Sequence, residues 1–182
     1  GHVAGVFTEK GRIRTQRVLL AGGAWASMFC RRHGVDLPQT SAHSTVFTTE
    51  PAPQVSPGAL ATTDFLLTPL LDGGYLVAHK ARGRIDITPQ GIRYSKYFRK
   101  MLIERWSSLS FGINGSFFNG PGAWAGKWNF EGVTPFERIR VLDPEPNRRI
   151  VEPAFREIGE AYPELKGLKL ARIWAGYIDS TP

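Results

Sequence analysis

The chain has 182 residues, of which 42% are hydrophobic, 12% aromatic and 21% charged. That composition suits a folded unit able to bury about 70% of the surface its unfolded form exposes, and it excludes collagen, coiled-coil and low-complexity classes. The net charge is +7, but no Lys/Arg block, RNA-binding aromatic signature or zinc-finger spacing accompanies it. Nucleic-acid binding is therefore not expected, and a basic surface suits an anionic cofactor or a carboxylate substrate equally well.

No apolar run approaches the roughly 20 residues that a transmembrane helix needs. A single cysteine, Cys30, excludes an internal disulfide framework, and nothing in it argues for secretion. The scattered histidines and Cys30 show no metal-ligand spacing, so no metal is expected. The expected location is cytoplasmic, with peripheral attachment at the inner membrane as the alternative.

Two short strand-like runs open the chain, Val3 to Thr8 and Arg12 to Thr15, with a turn at Glu9-Lys10-Gly11 between them. Arg17-Val18-Leu19-Leu20-Ala21-Gly22-Gly23-Ala24-Trp25 follows. Its four apolar residues bounded by paired glycines predict a fully buried strand. Residues 24–33 then read as a helix, with Gly34 as its C-terminal stop. A strand, glycine turn and helix in succession let backbone approach a ligand closely.

Residues 43–50 are β-branched and aromatic and predict an extended strand. Pro51, Pro53 and Pro57 mark a loop, and residues 65–67 a short strand. Residues 75–79 and 84–88 flank a basic turn at Gly83 and predict a hairpin. Thr88-Pro89 starts a predicted helix that runs to Trp106. Residues 109–130 read as loop and short strands, and residues 139–142 as a strand. Residues 150–162 predict an amphipathic helix stopped by Pro163, and residues 168–178 a final strand.

Gly120-Pro121-Gly122-Ala123-Trp124-Ala125 matches the dinucleotide-binding pattern of spaced glycines. It lacks the preceding apolar strand and carries an internal proline, so a surface loop is expected instead. No nucleophile elbow of the α/β-hydrolase kind occurs.

The opening run from Gly1 to Ile13, followed by Val18-Leu19-Leu20-Ala21-Gly22-Gly23-Ala24-Trp25, resembles the D-amino-acid oxidase superfamily of FAD-dependent oxidoreductases. That group includes glycine oxidase, sarcosine oxidase and D-amino-acid dehydrogenases. Arg172-Ile173-Trp174-Ala175-Gly176-Tyr177-Ile178-Asp179-Ser180-Thr181-Pro182 is similar to the family's closing segment. Thr134-Pro135-Phe136-Glu137 and Arg140-Val141-Leu142-Asp143-Pro144 look like members close to the sarcosine oxidase β-subunit.

The resemblance implies an α+β (α/β) chain: part of a Rossmann-type FAD-binding domain, and a substrate domain with a large mixed, mainly antiparallel sheet and flanking helices. Residues 1–34 would belong to the FAD domain, 35–172 to the substrate domain, and 173–182 to a return strand toward the flavin. The family's N-terminal glycine fingerprint and C-terminal flavin segment lie outside this sequence. The chain is accordingly expected to be the middle of an enzyme about twice its length.

FAD is the implied cofactor, lying against Ala21, Gly22, Gly23 and Trp25. The implied substrate is an amino acid or secondary amine that transfers a hydride from its α-carbon to the flavin, giving an imine. Tyr75 and Tyr177 are the implied substrate-facing residues, and no catalytic side chain is assigned. Some relatives carry a carboxylate-binding arginine where this chain has Ile178, which leaves Arg82, Arg84 and Arg172 as candidates. An electron-acceptor partner or an oligomer is compatible with the family. A non-catalytic binding module lacking a complete flavin site is the alternative reading.

Overall fold

The computed structural model describes residues 2–79, 83–104, 106, 109–113, 115–124, 128 and 132–182. Among them lie nine strands and five α-helices. β1 (Val6–Thr8) and β2 (Gly11–Ile13) form a small antiparallel hairpin in register Val6↔Ile13. Gly11, at φ +113°, makes its reversal possible. A tight turn at Gly23–Trp25 leads into α1 (Ala26–Arg32), and Gly34 at φ +74° ends that helix as expected.

The apolar run at residues 18–21 does not become a buried strand. It forms no strand here, and Leu19 is 91% exposed. A strand needs a neighbour to take its backbone hydrogen bonds, and among the described residues no strand pairs with this run.

The main sheet is built on β3 (Thr40–Thr49). β9 (Leu170–Ser180) lies antiparallel along its whole length, from Thr40↔Ser180 to Thr49↔Leu170. β6 (Tyr75–His79) pairs the later half of β3 at Val46–Thr48, and β7 (Gly83–Asp86) pairs the earlier half at Ala42–His43. The expected hairpin between β6 and β7 is therefore corrected. β9 occupies one edge of β3, so β6 and β7 must share the other, running in the same direction as successive halves of one track. Gly83 is not among the glycines with positive φ, and the chain does not reverse there. β5 (Phe65–Pro69) and β4 (Leu60–Ala61) extend the sheet beyond β6, and β8 (Leu109–Gly112) joins β7 in parallel. The sheet is thus mixed and mainly antiparallel.

One face of the sheet carries the core. Side chains alternate along β3, so His43, Thr45, Phe47 and Thr49 share a buried face. α5 (Val151–Ala161) covers that face with Val151, Ala154 and Ile158, spaced as one helical stripe. Phe47 meets Phe155 edge-on, with centroids 5.5 Å apart. Asn147 enters the helix by accepting from Arg149 N and donating its own N–H to Thr45 Oγ1 at 2.9 Å. Pro163 follows the last turn, as the sequence predicts.

The long helix expected from Thr88 is broken up. α2 (Pro89–Tyr94), a tighter turn at residues 95–98 and α3 (Arg99–Glu104) take its place, and residue 105 falls outside the described residues. Thr88 caps α2 by accepting from Gly91 N at 3.1 Å. No strand forms at residues 139–142. Instead Thr134 and Glu137 bond reciprocally as a capping box and start the single-turn helix α4 (Pro135–Arg138). The glycine pattern at 120–125 is a turn with Gly120 at φ +93°, and its last residue, Ala125, lies outside the described residues.

Candidate functional site

Gly22 and Gly23 form the bare part of the turn before α1. Gly23 stands at φ +51°, and a Cβ there would come 3.3 Å from Asp179 Oδ2. Ala21 and Gly23 are exposed, while Gly22 and Trp25 are half-buried. The turn is held from behind. Gln39 donates from Nε2 to Gly23 O at 2.9 Å and accepts from Ser27 N at 3.1 Å. Gln90 of α2 donates to Gln39 O at 3.0 Å. Buried side-chain amides thus tie the glycine turn to the start of β3 and to α2.

In front of the turn lies an apolar cleft of about 420 Å³, lined by Leu20, Gly22, Trp25, Phe29, Phe136 and Arg140. Phe136 packs edge-on against Trp25 at 5.3 Å. Beside the turn, the end of β9 brings Asp179 to Gly23, and burial pushes its carboxyl above the usual range.

Two residues back on the same face, Tyr177 pairs in register with His43. The two rings meet edge-on at 4.3 Å. His43 in turn pairs with Arg84. His43 Nε2 stands 2.8 Å from Asp86 Oδ2, and Arg84 Nε donates to Asp86 Oδ1 at 3.0 Å. Ser116 donates to the same carboxylate at 3.2 Å. A path of neighbours therefore runs from Gly23 through Asp179, Tyr177 and His43 to Arg84.

Arg84 is half-exposed, in contrast to its partner Asp86. Its guanidinium lies across Gly112, where an added Cβ would come 2.6 Å from Nη2. Only a residue without a side chain leaves that fork its place.

Burial is the main cause holding the His43 imidazole below its ordinary range; the Asp86 charge opposes it and the Arg84 charge adds to it. Burial first, then the Asp86 charge, pushes the Tyr177 phenol up. The His43 shift sets the sign of a stability change. The unfolded chain binds a proton on His43 near pH 6.5, at about the ordinary value, more readily than the folded one does. Stability is therefore full above that pH and lost as pH falls toward the folded value. Thermal unfolding followed from about pH 7.5 to about pH 5.5 is expected to show a declining Tm. His43→Gln should flatten the decline, and identical slopes in the two proteins would refute the assignment.

Tyr75 opens β6. It is 2% exposed. Its hydroxyl donates to Pro53 O at 2.8 Å and accepts from Val55 N at 3.0 Å. With donor and acceptor both engaged by the proline-rich loop, the side chain anchors that loop to the core. Arg172 lies over the Trp174 ring at 5.3 Å, near the other end of β9, and Arg82 falls outside the described residues. Of the two described arginine candidates, the structure brings Arg84 and not Arg172 into the cluster. Gln39, Gln90, His43 and Asp86 were not singled out as site residues from sequence; a buried carboxylate inside the apolar Ile85-Asp86-Ile87 run was the one available signal.

The sequence model of the family described as FAD dependent oxidoreductase matches residues 1–182. The chain belongs to this family. Among solved structures it is similar to the L-amino acid deaminase from Proteus vulgaris, with 24% identity and a TM-score of 0.82, covering 100% of this chain and 42% of that one. The L-amino acid deaminase from Proteus myxofaciens, solved in complex with anthranilate, gives 25% identity and a TM-score of 0.82 over 99% of this chain and 40% of that one. The L-proline dehydrogenase from P. horikoshii gives 20% identity and a TM-score of 0.59 over 100% of this chain and 35% of that one. No curated protein matches the chain. The chain thus spans about two fifths of the length of the deaminases it resembles.

The family's cofactor is FAD, and the residues around the glycine turn fit such a group. Bare backbone at Gly22 and Gly23 permits close approach, and the aromatic and apolar cleft suits a planar ring system. Arg140 stands at its rim, donating to Glu9 Oε1 at 3.4 Å. Among the described residues no group of three or more His, Cys, Asp or Glu is placed to hold a metal ion. No helix among them is long and apolar enough to cross a membrane.

Proposed function

We propose that this chain forms the substrate-facing part of a flavin-dependent oxidoreductase that oxidises an amino acid or secondary amine to its imine. In this reading residues 1–34 belong to the FAD-binding domain, residues 35–172 to the substrate domain, and residues 173–182 run toward the flavin. Ala21, Gly22, Gly23 and Trp25 form the wall on which FAD rests. The flavin, when bound, supplies the acceptor for the substrate's α-hydride.

The remaining work falls to this chain's own side chains. Tyr177 and Asp179 border the space beside the turn. Arg84 binds the substrate carboxylate through the end of its guanidinium that Asp86 leaves free. Asp86, fixed by His43 and Ser116, holds that guanidinium in one orientation, which lowers the ordering cost on binding. A cytoplasmic location suits the single free cysteine, Cys30. Electrons would leave to oxygen or to a partner.

The observation that carries the reading is the unbroken path of neighbours from Gly23 to Arg84. The test is steady-state kinetics of Arg84→Gln in the intact enzyme against a panel of amino acids. A charge-assisted hydrogen bond contributes about 1.5–3 kcal/mol, so KM should rise roughly 10- to 100-fold with flavin content unchanged. An unaltered KM would remove Arg84 from the site.

A further inference from the structure

The glycine turn has no cap of its own. Gly22, before the turn, has no side chain to offer, and Trp25, before α1, makes no side-chain hydrogen bond to the helix start. Helices ordinarily begin on Ser, Thr, Asp or Asn, whose oxygen takes one of the first free N–H groups. A side chain of that kind at Gly22 or Gly23 would stand on the surface that the two glycines keep bare. Paired glycines are also conformationally loose.

Gln39 holds the turn instead, from 12 and 16 residues downstream. Its Oε1 accepts from Ser27 N at 3.1 Å, one of the N–H groups that the first turn of a helix leaves without an internal partner. Its Nε2 donates to Gly23 O at 2.9 Å. That carbonyl also accepts from Ala26 N, so both of its lone pairs are engaged. One amide therefore caps the helix and fixes the glycine beside it.

The amide is itself held in place. Gln39 and Ser27 are both buried. The Gln39 backbone oxygen accepts from Gln90 Nε2 at 3.0 Å, and Ser27 Oγ donates to Leu37 O at 2.7 Å. A buried polar network with its members paired keeps one arrangement.

We infer that Gln39 is the positioning residue of the flavin wall: it draws the Gly23 carbonyl toward the protein interior and sets the bare turn in its flavin-accepting conformation before the cofactor arrives. The inference rests on the reading of Gly22 and Gly23 as that wall. A Gly23–Ala24 peptide free to rotate would turn its oxygen toward a cofactor that carries carbonyl and phosphate oxygens of its own. Fixing the peptide in advance lowers the ordering cost on binding.

The test is titration of FAD into the apoprotein of the intact enzyme. Gln39→Met keeps the length of the side chain and loses both polar groups. Its Kd for FAD should rise about tenfold or more; tenfold corresponds to 1.4 kcal/mol. Ser27→Ala is the matched control. It removes a buried bond of the same junction without touching Gly23, so it should lower the Tm and leave the Kd for FAD at the parent value.

Gln39→Glu adds a readout that lost stability alone would not move. As a carboxylate it accepts from Ser27 N but has no donor for Gly23 O; as a carboxylic acid it regains one. Burial favours the acid. Its Kd should therefore return toward the parent value as pH falls from about 8.5 to about 6. Comparison with the parent at each pH removes the contribution of Asp179, which lies beside Gly23 in both proteins. Parent-level FAD binding in Gln39→Met, a pH-independent deficit in Gln39→Glu, or an equal loss of FAD affinity in Ser27→Ala would overturn the inference. If Gly23→Val also binds FAD like the parent, the reading of the wall falls with it; if Gly23→Val loses FAD while Gln39→Met does not, Gln39 alone is rejected.

Discussion

Gly23→Val is expected to yield a folded protein whose flavin content is reduced roughly tenfold or more. The residue stands at φ +51°, a conformation that costs an L-residue about 1–2 kcal/mol and a β-branched one more. The new Cβ would also sit 3.3 Å from Asp179 Oδ2, crowding the end of β9. The valine methyls then occupy the bare backbone on which a planar cofactor would rest. Strain on the turn passes through the Gly23 carbonyl to Gln39, and so to the start of β3.

Gly34→Ala is the control. It stands at φ +74° with nothing within 4 Å of an added Cβ. It should cost about 1–2 kcal/mol of stability from the positive φ alone while leaving flavin content intact. The ratio of visible to ultraviolet absorbance in the purified intact enzyme reads both variants. A full complement of flavin in Gly23→Val would show that the turn does not touch the cofactor.

Phe47→Ala should be the most destabilising single truncation in the sheet. Phe47 is 0% exposed, sits in the later half of β3 and packs under α5 against Phe155. Removing a buried phenyl ring loses its transfer energy and leaves a cavity, together about 3–5 kcal/mol. That is a large share of the roughly 5–15 kcal/mol that holds a typical domain folded. Thr48→Ala, one residue along and on the opposite face, should cost less than about 1 kcal/mol. Denaturant unfolding of the two variants measures the difference. Equal midpoints would mean that α5 does not dock on this face as described.

These two predictions draw on different kinds of information. That Gly22 and Gly23 matter is visible in the sequence, because paired glycines between an apolar run and a helix have few other uses. That Gly23 lies against Asp179 is not visible, since the two are joined only by the return of β9 across the sheet. The same contrast runs through the fold. α5 and the Gly34 stop were legible because a helical stripe, a following proline and a C-terminal glycine are local signals. β3 and β9 were legible as extended runs, and their partners were not. The run at residues 18–21 shows the limit from the other side. Its composition predicts burial, yet burial depends on a neighbour that the described residues do not supply.

The polar cluster was the least legible part. His43 and Asp86 look unremarkable in sequence, and neither has a partner nearby in the chain. They meet because β7 continues the track of β6 along β3 instead of folding back on it. Gln90 reaches Gln39 across 51 residues for the same reason of topology. Tyr75 follows two glycines in sequence, and only the structure shows the proline-rich loop bonded to its hydroxyl.

What the sequence determined by itself was everything set by local sterics and periodicity: the glycine turn, the helix caps and stops, the alternation of β3 and the family resemblance carried by those segments. Tertiary structure alone decided which arginine joins the cluster and where the small buried network of amides and carboxylates forms. Strand pairing and side-chain hydrogen bonds bring together groups far apart in the chain, and no local preference encodes such partners.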